Sequence, residues 1–421
     1  MAQIHKTRWT IWALAVVFYF YEYILRVFPS VIVPELRDKF HANASVLGLI
    51  SAFYLYAYAP MQLPTGFLID RFSARRLLAF ACMVCGLSAI WFAVSNTLWM
   101  ILMSRFLMGF GSAFAFLGCV YVSTHWFTEK KAALLVPLVN TFGMLGPFFG
   151  QGPLEFFANR FGYELTLLAL GLLGILLAIF LFFAIRNEPK SMQKMATNRP
   201  SFFKIFKNSK DVFKHTQTWV NASVGLFSYL TTVAFAGFWA VPFLQKAYAL
   251  DKNVAGFAAS MIFIGWMAGG PLWGYFISRF NVKKKTSIIL GCLLAACFTA
   301  TIIYVPRLNL FFVFICMFLI GFFTAAQVFT FSLAVAHNRH EAKGTTIAFL
   351  NFTTFIGGSI VLTLIGYMLV YFWDGTTVNK IPIYNVSTYQ QVFIGFPISY
   401  LVAAFLGLFL KEKKITTILS H

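Results

Sequence analysis

Trp9-Thr-Ile-Trp-Ala-Leu-Ala-Val-Val-Phe-Tyr19-Phe-Tyr-Glu22-Tyr23-Ile-Leu-Arg26-Val-Phe-Pro-Ser-Val-Ile-Val33 is an apolar run with an acid and a base set inside it. It is long enough to cross a bilayer, whose hydrocarbon core takes about 20 residues of helix. Glu22 and Arg26 stand four residues apart, which stacks them on one helix face with the acid N-terminal to the base, the favoured order for an ion pair. A charge at the bilayer centre costs roughly 2.5 to 3.5 kcal/mol, so the pair must face protein or water. Tyr19 and Tyr23 share that face. The helix therefore turns an acid, a base and two phenols towards an interior that reads as a solute pathway.

The rest of the chain repeats the pattern. It has 421 residues, 60% of them hydrophobic and only 11% charged, with a mean hydropathy of +0.77, which excludes a soluble globule. Twelve apolar stretches read as spans: 9–33, 46–66, 76–96, 98–122, 132–157, 162–185, 217–243, 254–278, 286–305, 308–335, 344–373 and 391–410. His5, Lys6 and Arg8 before the first run imitate a signal peptide. That run is too long, carries two charges and has no small-residue cleavage site after it, so it is expected to stay as a span. Cys82 and Cys85 form a CxxC inside the third span, where small apolar filling is expected instead of metal or redox work.

The net charge of +20 invites a nucleic-acid reading, but location argues against it. Most of the 33 Lys and Arg fall in the N-terminus, the even-to-odd loops and the C-terminus. By the positive-inside rule both termini are expected to be cytoplasmic, in a multi-pass protein of the inner or plasma membrane.

Hydrophobicity stops over 186–216, which divides the chain into an N-terminal bundle, 1–185, a cytoplasmic linker, 186–216, and a C-terminal bundle, 217–421. Within the linker, 202–213 reads equally well as an amphipathic surface helix or as a flexible tether. The halves echo one another. Gly66-Phe-Leu-Ile-Asp70-Arg71-Phe-Ser-Ala-Arg75-Arg76 recurs as Gly274-Tyr-Phe-Ile-Ser278-Arg279-Phe-Asn-Val-Lys283-Lys284, and Asn140 with Gly146 recurs as Asn351 with Gly357. Such matching turns imply parallel repeats about an axis along the membrane normal.

The turn from Gly66 to Arg76 closely resembles the motif that major facilitator superfamily transporters carry between spans two and three, with Ala74 where a glycine is usual. Arg105-Phe-Leu-Met-Gly109-Phe-Gly111-Ser-Ala113 is similar to a second motif of that family, with Met108 in place of a common glutamine. With the twelve spans, the linker and the repeat, the resemblance covers the whole chain. It implies an all-α membrane protein of twelve transmembrane helices in two pseudo-symmetric six-helix bundles, with spans one, four, seven and ten around a central cavity. Asp70 would accept from the exposed N–H groups of a facing helix start, a latch worth about 0.3 to 1 kcal/mol, with Gly66, Arg71, Arg75 and Arg76 completing the gating motif. Ser278 replaces the acid in the second half.

Arg26 and Arg105 fall about seven residues from the same end of their spans, hence at similar depth, with Glu22 one turn deeper. Three formal charges are thus expected near one cavity, and none in the spans of the second half. The candidate substrate-binding set is Arg26, Arg105, Tyr19, Tyr54, Tyr58, Gln62, Asn140, Tyr229, Gln327 and Asn351, with Thr232 and Thr324 as neighbouring hydroxyls and Glu22 as the proton-coupling acid. With the cavity empty, Glu22 is the ionised partner of Arg26. A substrate carboxylate would compete for the cation and let Glu22 take up a proton, coupling binding to protonation.

Arg26-Val-Phe-Pro-Ser-Val-Ile-Val-Pro34-Glu-Leu, Gly48, Ser51-Ala-Phe-Tyr and Met61-Gln62-Leu-Pro64-Thr-Gly66 look most like the anion:cation symporter branch, which imports organic acids with protons. That branch commonly places Asp just before the first Arg, where this chain has Leu25 and carries Glu22 a turn earlier. The implied activity is proton-coupled uptake of a small carboxylated solute such as an organic acid or amino acid, by a monomer, with the proton gradient as energy source and no cofactor or metal. Gly143-Met-Leu-Gly146-Pro147-Phe-Phe-Gly150 is similar to the antiporter Gly-Pro motif and keeps proton-driven efflux of drugs, metabolites or a siderophore as the alternative. An enzyme is not expected, since no paired acids, His cluster or nucleophile with its base falls within the spans.

Overall fold

A computed structural model of the chain describes residues 2–71, 74–184, 212–339, 342–378 and 381–412. Among the described residues, twelve helical spans are long and apolar enough to cross a bilayer: Arg8–Ser30, Ala44–Thr65, Ala74–Ala93, Leu98–Trp126, Lys130–Phe161, Tyr163–Ala184, Thr216–Tyr248, Lys252–Phe280, Lys284–Tyr304, Leu310–His337, Lys343–Tyr371 and Val386–Gly407, numbered 1 to 12 in order. Each falls on one of the apolar stretches read from the sequence. Because their number is even, span 1 starts and span 12 ends on one face of the bundle, the terminal face, and the opposite one is the far face. The expected linker lies outside the described residues apart from 212–216, and so does most of the segment 202–213.

Packing follows the repeat. Span 1 lies on span 5, span 2 on span 4, and span 3 on spans 4 and 6; in the second half, span 7 lies on span 11, span 8 on span 10, and span 9 on spans 10 and 12. These pairs are equivalents across a two-bundle pseudo-symmetry. The two halves meet where span 2 packs on span 11 and span 5 on span 8. Small residues make the crossings close, as expected where lipid supplies no hydrophobic drive between helices. A Cβ on Gly109 would overlap the Tyr54 carbonyl of span 2, and one on Gly146 would overlap the Phe20 carbonyl of span 1. Gly357 stands in the same way against Leu226 of span 7, so the echo of Gly146 in the second half is an echo of packing. Helix packing accounts for the glycines beside Pro147 without reference to a direction of transport.

Several spans are broken. Span 1 ends as an α-helix at Val27 and passes through a 3-10 turn, Phe28–Ser30, into the short helix Val33–Phe40 on the far face. Span 4 is interrupted after Ser112 and span 10 by a 3-10 turn at Ala325–Val328, at equivalent places. Span 7 carries a π-helical segment, Thr231–Trp239, a geometry often found at functional sites. The outer surface is apolar, as on span 6, where Leu172, Leu173, Leu176, Phe180 and Phe183 are exposed. Such a surface suits lipid.

Among the described residues, hydrogen bonds and ring contacts join the halves from mid-bundle to the far face. Tyr58 packs edge-on against Phe355 at mid-depth, with ring centroids 4.9 Å apart. Further out, Tyr56 bonds Thr363 (2.8 Å), the Ala44 N–H at the start of span 2 donates to the Tyr384 hydroxyl (3.0 Å), and Asn159 donates to Asn253 (3.2 Å).

Candidate functional site

Glu22 and Arg26 meet as their spacing requires. One guanidinium nitrogen of Arg26 donates to both carboxylate oxygens of Glu22 at 3.2 Å. Glu22 is fully buried and takes a second donor, the Tyr54 hydroxyl from span 2, at 2.6 Å. The guanidinium lies over the rings of Tyr23 (4.2 Å) and Tyr58 (4.4 Å), with Phe355 of the other half at 5.2 Å. Such faces attract a cation where water is scarce. Arg26 Nε has no hydrogen-bond partner.

Arg26 opens onto a cavity of about 30 Å³ that it shares with Tyr23 and Ser51 of the first half and Tyr229, Thr232 and Phe355 of the second. That is room for a water or two, not for an organic solute. Thr232 Oγ1 is buried without a partner. Thr232, Val233 and Gly237 come from the π-helical segment of span 7, so its irregular turns form one wall.

Arg105 is used differently. It is 1% exposed, and its donors go to backbone: Nε to the Ile50 carbonyl (3.2 Å), and the terminal nitrogens to those of Leu25 (2.7 Å) and Arg26 (3.1 Å). The reason is local. Pro29 has no N–H to give the Leu25 carbonyl four residues earlier, so that oxygen needs an outside donor. The structure places Arg105 apart from the cavity at which the sequence reading set it beside Arg26: its guanidinium clamps the end of span 1 to spans 2 and 4 and does not line that cavity.

The remaining candidates are scattered. Tyr19 donates to Tyr23 (3.4 Å) and packs where Gly143 lacks a side chain. Tyr54 and Tyr58 stack, centroids 6.0 Å apart. Gln62 is buried, with neither side-chain polar atom partnered. Gln327 packs near Gly225 of span 7, and Thr324 bonds Tyr400. Asn140 and Asn351 are half-buried and do not line this cavity. Of the gating motif, the side chains of Gly66, Asp70 and Arg71 lie outside the described residues; Arg75 lies over the Phe182 ring at 4.2 Å, and Arg76 is exposed. Cys82 and Cys85 donate to helix carbonyls and fill space.

Sequence reasoning missed one charge. Glu155, near the far end of span 5, is a fully buried acid that the reading of three charges near one cavity left out. It was legible as an acid in an apolar stretch. Phe355 carried no signal of its own. Around Glu155 the seam between halves is polar: Glu35 pairs with Lys252 (2.6 Å), and Gln151 donates to Ser30 Oγ (3.1 Å) and the Ala236 carbonyl (2.6 Å). Nearby, Lys39 pairs with Glu164 at 2.6 Å. Partial burial works against the Lys39 charge, but the Glu164 carboxylate outweighs it and lifts the ammonium above its ordinary range.

The family model described as Major Facilitator Superfamily matches residues 11–362 and 222–417. The chain is 24% identical over 299 residues to the "Probable sulfoacetate transporter SauU" of Cupriavidus necator, covering 68% of each chain. It is 22% identical over 374 residues to the "Membrane sensor protein UhpC" of Escherichia coli, covering 83% of this chain and 82% of that one. Among solved structures, it superposes on a bacterial homolog of the human lysosomal transporter Spinster, in an inward-facing and occupied conformation, with a TM-score of 0.73 at 18% identity, covering 95% of this chain and 96% of that one.

Proposed function

This chain belongs to the Major Facilitator Superfamily, and we propose that it works there as a proton-coupled symporter taking up a small carboxylated solute, an organic acid or amino acid. Membership makes it a membrane transporter, not an enzyme. The observation that carries the finer reading is Arg26, a largely buried cation with an unpartnered Nε at a cavity where the halves face each other. A solute carboxylate there would compete with Glu22 for the guanidinium, and Glu22, deprived of its cation in a buried place, would accept a proton. Binding and proton uptake would be one event. Tyr229 and Thr232 would supply hydrogen bonds from the other half, so the occupied site pulls the halves together. A sulfonated organic acid in the name of one relative supports a small organic anion as cargo.

With the termini in the cytoplasm, as the basic residues suggest, the far face would be the outer one, and the contacts across the seam there would mark a state closed to the outside. The longer match to a protein named as a sensor motivates a second reading, in which the same anion site reports on its ligand without net flux.

Purified protein in proteoliposomes separates these readings. A solute panel screened by thermal stabilisation should yield anions, whose uptake accelerates when the outside is made acidic. Arg26→Ala should lose the stabilisation, and Glu22→Gln should exchange solute without responding to the gradient. Stabilisation by cations alone, or an Arg26→Ala protein that still answers to anions, would refute the proposal. Anion binding with no flux would favour the sensor.

A further inference from the structure

Glu155 plays no part in the reaction just described, yet it is a fully buried acid on the surface where the halves separate. Neither carboxylate oxygen has a hydrogen-bond partner. It faces span 8 at a point where only glycine fits, since a Cβ on Gly256 would run into Glu155 Oε2 and the Gln151 carbonyl. The charged groups facing it are Lys252 at the start of span 8 and Glu35 on the Val33–Phe40 helix. Those two pair with each other, and Lys252 Nζ also donates to Asn159 Oδ1 (3.2 Å). On span 6, Glu164 is engaged with Lys39. On its own span, Gln151 donates to Ser30 and Ala236, and Asn159 donates to Asn253.

The seam therefore holds two acids and one ammonium, and the ammonium is hydrogen-bonded to the more exposed acid. An ionised Glu155 would be a buried carboxylate without a donor, which is strongly unfavourable; a protonated one is tolerated. Opening the far face would let water reach it and remove the conflict. We propose that Glu155 is a second proton-binding site, filled from the solution on the far side, whose occupancy licenses closure of the seam between spans 5 and 8. The proton is bound as the far face closes and released when it reopens. Acid then favours the closed far face, and the closed state is lost as pH rises. A single linked proton changes the closed-to-open ratio by at most about tenfold per pH unit.

The test uses the full chain in lipid nanodiscs, with Cys297, the exposed cysteine, replaced by serine. Nitroxides at Asn96→Cys and Val305→Cys, exposed positions on the far-face loops before spans 4 and 10, report the opening by pulsed electron resonance. The short-distance population should dominate at about pH 5.5 and give way to a longer one at about pH 8.5, within the linkage limit above. Glu155→Gln should keep the short population at both values, and Glu155→Asp should retain the response. Glu22→Gln should leave it unchanged, which separates this site from the coupling reaction. A wild-type distance that ignores pH, or an identical response in Glu155→Gln, would overturn the proposal. A response that survived Glu155→Gln and vanished in Glu22→Gln would overturn it while leaving the transport reading intact.

Discussion

Pro29 brings no N–H to the Leu25 carbonyl, and the planar fork of Arg105 serves that oxygen and the next one together. A lysine at 105 keeps the charge and loses the fork. Arg105→Lys should therefore destabilise the protein by about 2 to 4 kcal/mol, the loss of one or two charge-assisted bonds, seen as a lower midpoint of thermal denaturation in detergent. Anion-induced stabilisation should persist in the folded fraction, because the anion is assigned to Arg26. Arg26→Lys should do the reverse, weakening anion affinity by about tenfold to a hundredfold in a binding titration with little change in fold stability. Equal effects from the two substitutions would contradict the division of labour between them. Spacing alone made the Glu22–Arg26 pair legible, because residues four apart meet on any helix. The role of Arg105 was only half legible: Pro29 marks an orphaned carbonyl, but the donor comes from another span and is known only once the helices are packed. Phe355 is one of 52 phenylalanines, and its place beside Arg26 is a product of the tertiary fold.

At the scale of the helix, what matters is where a side chain would obstruct a neighbour. Gly109 lies on the backbone of span 2, whereas nothing comes within 4 Å of a Cβ built on Gly274. Gly109→Ala should overpack that crossing at a cost of about 1 to 3 kcal/mol and reduce the folded monomer recovered by size exclusion after heating. Gly274→Ala should be neutral or gain about 0.4 to 1 kcal/mol, as expected for a glycine whose backbone any residue can adopt. If the two variants behaved alike, the close approach of spans 2 and 4 would be wrong. The twelve spans were readable because length and hydropathy are properties of a segment by itself. The π-helical stretch of span 7 and the 3-10 turn of span 10 contain no proline, so nothing local announced them. They arise from how these spans pack on their neighbours, and one of them builds a wall of the site.

For the whole molecule, the distribution of contacts along the seam is the mechanical fact. The halves are joined from Tyr58 and Phe355 outward to Asn159 and Asn253 on the far face. In an alternating-access cycle those outer contacts must part, whereas the packing inside each bundle is kept. The two asparagine amides touch at 3.2 Å, so cysteines in their place lie within reach of a short, reducible bis-methanethiosulfonate. In a Cys297→Ser background, cross-linking Asn159→Cys to Asn253→Cys should hold the far face shut. Net uptake into proteoliposomes should stop and return on reduction, and each single cysteine variant should transport normally after the same treatment. Ligand-induced thermal stabilisation should survive the cross-link, because the closed far face leaves the terminal side free to open towards Arg26. Continued transport by the fully cross-linked protein would mean that the seam between spans 5 and 8 is not a moving interface, and the path to the site would have to run elsewhere.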